Sequence, residues 1–178
     1  FSLSLSLVLP HPPAKAQLRF VKAETQAELE HELDLMSGML GAENGVLLFL
    51  YSCIATRGIS AVTDDLGLDV EPLVSMPFGH ANLSLVNLLL TGVATAYVHD
   101  GIQEVGIPLK GIETRPSVGY LTVLESLRYV TVGTFLKTPQ HPVWVVGSET
   151  HMTVLFSPDA RLVNESDGET TVSKVERV

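Results

Sequence analysis

Pro142-Val-Trp-Val-Val-Gly-Ser-Glu-Thr-His151-Met-Thr-Val-Leu-Phe156 reads as two apolar strands joined by a polar turn. One histidine stands where the second strand begins. Side chains alternate along a strand, so His151, Thr153 and Leu155 share one face, and Met152, Val154 and Phe156 share the other. The Met-Val-Phe face is expected to enter a core, which turns His151 away from it. An imidazole held at the rim of a sheet can cycle its proton near neutral pH and so activate a thiol.

Outward from this hairpin the chain punctuates itself clearly. Gln17–Ala23 is a strand candidate. Thr25-Gln-Ala-Glu28 is a capping box, and Leu29, Leu33, Met36 and Leu40 form one apolar helix face that ends at Gly38 and Gly41. Asn44 can cap a second helix over Gly45–Ala55, apolar on nearly every side and so expected to be buried, with Gly58 ending it. Ser60 starts a shorter helix through Asp65, and residues 67–81 read as a loop. Asn82 can cap Leu83–Leu90, closed by Gly92. Thr95–Val98 is a strand candidate, turning at His99-Asp100-Gly101 to meet Pro108–Ile112. Pro116-Ser117 precedes a helix through about Tyr129. Helices gathered beside a small antiparallel sheet make an α+β arrangement.

The 178 residues suit one domain, and 46% hydrophobic residues suffice for a packed core. The formal charge of −9 argues against nucleic acid and anionic lipid as partners and suits a basic protein partner. No apolar run approaches membrane-span length. One cysteine cannot form an internal disulfide, and no Cys/His cluster suggests zinc, so neither metal nor cofactor is expected; the simplest compartment is a reducing, intracellular one. Residues 1–16 begin with low-complexity Phe1-Ser-Leu-Ser-Leu-Ser-Leu-Val-Leu9, read as a period-two strand or a truncation boundary in preference to a signal peptide, followed by a Pro-rich linker. Residues 17–163 form the domain part, and the polar stretch 164–178 is expected to be a tail.

Cys53 is the tempting nucleophile. It lies nine residues past Asn44, late in an apolar helix, where the dipole raises a thiol pKa; the helix N-terminus would lower it. A buried, inert thiol is the better reading. Asp64-Asp65, Asp69 and Glu71 read as a solvated loop. His80 falls in a turn, His99-Asp100 at a hairpin tip and His141 in a loop. Ser148 lacks the setting of a nucleophile elbow.

Gly45-Val-Leu-Leu-Phe-Leu-Tyr-Ser52 with Arg57-Gly58, Pro77-Phe-Gly-His80, Val86-Asn-Leu-Leu-Leu-Thr-Gly92, Leu109-Lys-Gly-Ile112, Val118-Gly-Tyr-Leu-Thr-Val-Leu-Glu-Ser-Leu127 and Trp144–Phe156 follow one another in an order that resembles the MINDY deubiquitinases, in the branch with a short W-V-V-G-S-E-T-H hairpin. The resemblance covers about residues 18–163. It implies the C-terminal part of a cysteine-protease-like catalytic domain, truncated at its N-terminus, and a thiol isopeptidase that trims polyubiquitin, with ubiquitin and polyubiquitin chains as partners, in the cytoplasm or nucleus. The family prefers chains linked through the forty-eighth residue of ubiquitin. His151 falls on its catalytic histidine. Its nucleophilic cysteine and oxyanion glutamine lie upstream of the Gly45 helix and have no counterpart here, so the 178 residues alone are expected to be inactive. Asn164 and Asp167 are candidates to orient His151. The other readings are a non-catalytic ubiquitin-binding or scaffold protein, and an unrelated α+β enzyme using Cys53.

Overall fold

The computed structural model describes residues 3–9, 17–67, 71–148 and 151–163. The expected Pro-rich linker, Asp69, Glu149 and Thr150 of the expected turn, and the expected tail with Asn164 and Asp167 lie outside them. The chain folds as two compact units, and its mixture of helices and small sheets is α+β.

The first unit holds most of the helices. Strands β1 (Leu3–Leu9) and β2 (Gln17–Ala23) pair antiparallel. Helix α1 (Gln26–Leu40) starts at the capping box: Thr25 Oγ1 accepts from Glu28 N at 3.2 Å, while Glu28 Oε2 reaches past the cap to accept from Glu24 N at 2.8 Å. Helices α2 (Gly45–Arg57) and α3 (Ile59–Leu66) meet at Gly58, whose φ of 88° turns the chain between them. Short strands β3 (Val74–Ser75) and β4 (His80–Ala81) pair within the expected loop. Helix α4 (Leu83–Thr91) ends at Gly92 in the left-handed region. Val62, Leu85, Leu88 and Ala94 form the core here, with Leu50, Ile54, Leu66 and Leu73 packed around it.

Two expectations for this unit fail. Helix α2 is not buried all round: its packed stripe contains Leu48 and Ser52, one turn apart, while Val46 is 80% exposed and Leu47, Phe49 and Tyr51 are also exposed. High mean hydropathy gave no direction to its burial. Residues 95–98 form no strand. Asn87, fully buried on α4, donates through Nδ2 to the carbonyls of Thr95 (2.8 Å) and Tyr97 (3.1 Å), and Thr95 Oγ1 donates to the Lys110 carbonyl. A side chain thus satisfies backbone that would otherwise need a ladder. The hairpin forms farther on, from β5 (Ile102–Glu104) and β6 (Pro108–Lys110).

Among the described residues, the second unit contains 98–101, 112–148 and 151–163. Strands β7 (Gly119–Thr122), β8 (Val143–Ser148) and β9 (His151–Phe156) form one sheet in that order, with β8–β9 antiparallel and β7–β8 parallel. The helix expected over 117–129 is therefore a strand followed by the one-turn helix α5 (Val123–Ser126). Its Tyr, Leu and Thr suit a pleated surface, and pairing with residues 144–147 overrides the helical spacing of its apolar positions. A last short helix, α6 (Thr134–Lys137), begins under Asp100, whose carboxylate accepts from Thr134 N (2.7 Å) and Phe135 N (3.0 Å). Val98, Ile112, Tyr120, Val132, Leu136, Trp144 and Val163 are buried in this unit.

Candidate active site

The β8–β9 hairpin is the rigid element that presents His151. Its register runs from Val143↔Phe156 to Ser148↔His151, so the histidine stands in the last pair of the described ladder. The hairpin is held from behind. Trp144, buried on β8, donates from Nε1 to the Lys137 carbonyl on α6 at 2.9 Å. Tyr120 on β7 crosses Gly147 so closely that a Cβ there would lie 2.5 Å from the phenol oxygen. Any larger residue at 147 would push the strand away from its support just before the ladder's end. Glu125 locks the loop below: it pairs with Lys137 at 2.7 Å and accepts from Val132 N at 2.9 Å, and the Lys137 hydrogen bond lowers its pKa.

His151 itself is exposed. Its cross-strand partner on the same face is Ser148, also exposed, followed by the Thr153–Val146 and Leu155–Trp144 pairs. Among the described residues, no side chain hydrogen-bonds the imidazole. The expectation that Met152, Val154 and Phe156 enter a core is corrected: they are exposed, Phe156 to 72%, and so is Leu155. Strand β9 is paired with β8 on one side, and neither of its faces is packed among the described residues. The outward placement of His151 is observed, but burial of the opposite face is not its cause.

Cys53 is the ninth residue of α2, half-buried, and burial pushes its thiol pKa up. That is the setting of an inert thiol.

The other candidates have structural work. Asp65 is no solvated loop residue. It sits on α3 with its side chain 9% exposed, gripped by Arg57 Nε (2.8 Å) and Nη2 (2.6 Å) and by Ala94 N (3.0 Å). Asp100 caps α6, and His99 Nδ1 lies 3.4 Å from the Asp100 carbonyl. His80 is exposed on β4 beside Phe78, its ring centroid 5.9 Å away. His141 donates its backbone N–H to Ser117. Arg115, which the sequence did not single out, donates to the carbonyls of Thr138, Pro139 and Val163 and so ties down the end of the described chain. A cleft of about 300 Å³ lies between α3 and β6, lined by Asp64, Leu66, Tyr97, Leu109 and Lys110 among others. Among the described residues, no three His, Cys, Asp or Glu side chains converge as a metal site. No single described helix is long and apolar enough to cross a membrane; α2 and α3 together reach the required composition but are bent by 84°.

Comparison with known proteins agrees with the resemblance read from the sequence. Residues 14–173 match the conserved domain of the deubiquitinating enzymes MINDY-3/4. Ubiquitin carboxyl-terminal hydrolase MINDY-3 of Bos taurus is 47% identical over 138 residues, 77% of this chain and 31% of the relative. The Drosophila melanogaster MINDY-3 homolog is 48% identical over 128 residues, 71% of this chain and 23% of the relative. The probable ubiquitin carboxyl-terminal hydrolase MINDY-4 of Bos taurus is 38% identical over 127 residues, 68% of this chain and 16% of the relative. The chain thus spans less than a third of the length of these curated relatives. No solved structure matches it. With a family match across most of its length, the chain belongs to the MINDY-3/4 family of deubiquitinating enzymes.

Proposed function

We propose that residues 17–163 are the C-terminal part of a ubiquitin-directed thiol isopeptidase and that His151 is its general base. The observation that carries this is an exposed imidazole at the end of a braced hairpin, in a chain of the MINDY-3/4 family. The nucleophile is a cysteine outside these 178 residues, since Cys53 is half-buried late in a helix.

In the reaction, His151 takes the proton of that thiol. The thiolate attacks the carbonyl carbon of the isopeptide bond between the C-terminal glycine of one ubiquitin and a lysine of the next. The tetrahedral adduct collapses as the imidazolium gives its proton to the departing lysine amine. Water, deprotonated by the same imidazole, then hydrolyses the thioester and frees the thiol. Degradation-type, lysine-linked polyubiquitin is the substrate we favour, and the acidic chain suits a basic partner face. A thiolate mechanism also fits a reducing compartment, the cytoplasm or nucleus. Neither nucleic acid nor membrane enters this reading.

The test is labelling by ubiquitin bearing a thiol-reactive group at its C-terminus. The complete gene product should be labelled, its His151→Ala variant should not, its Cys53→Ala variant should be labelled as the parent is, and the 178-residue chain should stay unlabelled. Labelling of the short chain would make Cys53 the nucleophile and end this reading. Binding of ubiquitin without labelling of any form would mean a scaffold.

A further inference from the structure

The register of the hairpin carries one inference that the family match does not. A histidine base works through one nitrogen, and the proton on the other must be held so that the working nitrogen stays free. Asn164 and Asp167 lie outside the described residues, so the sequence candidates for this task have no described geometry. The ladder supplies another. Ser148 and His151 are directly opposed, which puts their Cβ atoms about 4.5–5.5 Å apart on one face of the sheet. That is hydrogen-bond reach for a hydroxyl and an imidazole nitrogen after rotation about χ1. Both residues are exposed, so no packing forbids the rotamers required. The hairpin below them is braced through Trp144, so the pair is held on a rigid support. The next pair on this face, Thr153 and Val146, sits one step farther from the ring and already directs Thr153 Oγ1 at the Val146 carbonyl.

We infer that Ser148 is a positioning residue for His151: its hydroxyl accepts the Nδ1 proton across the ladder and leaves Nε2 free as the base. The inference rests on the reading of His151 as the base only for its catalytic consequence, because the hydrogen bond itself can be observed without catalysis. Imidazole in water prefers the form protonated at Nε2, so a ring held in the Nδ1–H form reports its acceptor directly.

The experiment has two readouts. The first is the tautomer of His151 in the 178-residue chain, from long-range proton–nitrogen correlations on histidine-labelled protein. We expect the Nδ1–H form in the parent, reversion toward Nε2–H in Ser148→Ala, and retention in Ser148→Thr and in the control Thr153→Ala. The second is turnover by the complete gene product: Ser148→Ala should lower kcat about tenfold at unchanged KM, the worth of one hydrogen bond, and Ser148→Thr should restore it. A parent ring in the Nε2–H form, or a tautomer that responds to Glu149→Gln and not to Ser148→Ala, overturns the inference. An active His151→Ala enzyme with the tautomer result intact would instead refute the general-base reading and leave the hydrogen bond standing.

Discussion

Replacing Arg57 by alanine should destabilise the chain more than neutralising its partner does. The two sides of the pair differ in exposure: the Arg57 side chain is 35% exposed and that of Asp65 only 9%. Arg57→Ala removes both guanidinium bonds, at 2.8 and 2.6 Å, and leaves a nearly buried carboxylate with the Ala94 N–H alone. Stranding a fully buried charge costs ~3–5 kcal/mol, and bonds to charged groups contribute ~1.5–3 kcal/mol. Partial access to water through the vacated arginine site puts the expected loss at about 2–3 kcal/mol. Asp65→Asn keeps an acceptor for Ala94 and leaves a guanidinium that water can reach, so about 1–1.5 kcal/mol is expected. The double variant Arg57→Ala/Asp65→Asn strands no charge and should recover about 1 kcal/mol relative to Arg57→Ala alone. Urea unfolding read by circular dichroism measures all three; with a slope of about 2 kcal/mol/M, the Arg57→Ala midpoint should fall by roughly 1–1.5 M. Equal losses in the two single variants, or a double variant weaker than Arg57→Ala, would refute the argument from unequal burial.

Asp100→Ala should cost about 1–2 kcal/mol by orphaning the Thr134 and Phe135 N–H groups, with Asp100→Asn closer to the parent in the same urea assay. Gly133→Ala should be at least as damaging, because its Cβ would lie 2.1 Å from Asp100 Oδ1 and 2.6 Å from the Asp100 backbone nitrogen; a loss below about 0.5 kcal/mol would contradict that close approach. The Arg161 side chain holds Asp159 at a pKa of about 2, below the ordinary 3.8. A depressed carboxylate contributes stability that is present above its unfolded pKa and lost as pH falls through its folded one, so this contribution should fade between about pH 3.8 and 2. Arg161→Gln should return the Asp159 titration, followed by carboxyl carbon NMR, toward 3.8.

What could be read in advance was local. Strand Gln17–Ala23, the Thr25 cap, the glycine stops at 41, 58 and 92, and both strands of the His151 hairpin each carry their signal within a few residues. The failures below involve partners that the local pattern does not name. Residues 119–122 have helix-compatible spacing and become a strand because β8, more than twenty residues on, pairs with them in parallel. Residues 95–98 look extended, yet a buried asparagine on α4 takes their carbonyls. Asp100 reads locally as a turn residue and caps a helix 34 residues later. The position of His151 was legible because a hairpin is local; the packing around it was not, because burial of a strand face depends on what the rest of the chain brings to it.

Strand β9 is where that dependence has a measurable consequence. Natural edge strands protect themselves with charge, proline, bulges or a covering element. Val154, Leu155 and Phe156 are each at least half exposed, Met152 is exposed to 39%, and no Asp, Glu, Lys, Arg or Pro occurs between His151 and Phe156. Such a strand is a template for another strand, whether from a longer polypeptide or from a second copy. For the 178-residue chain alone, self-association at micromolar concentration is therefore expected, visible as a concentration-dependent sedimentation coefficient. Val154→Lys should suppress it. Because Val154 is 68% exposed, the same change should alter folding stability by no more than about 0.5 kcal/mol. The two measurements separate the possibilities: a lysine that unfolds the chain would mean the strand face is packed, and a parent that stays monomeric at all concentrations would mean the edge is already covered.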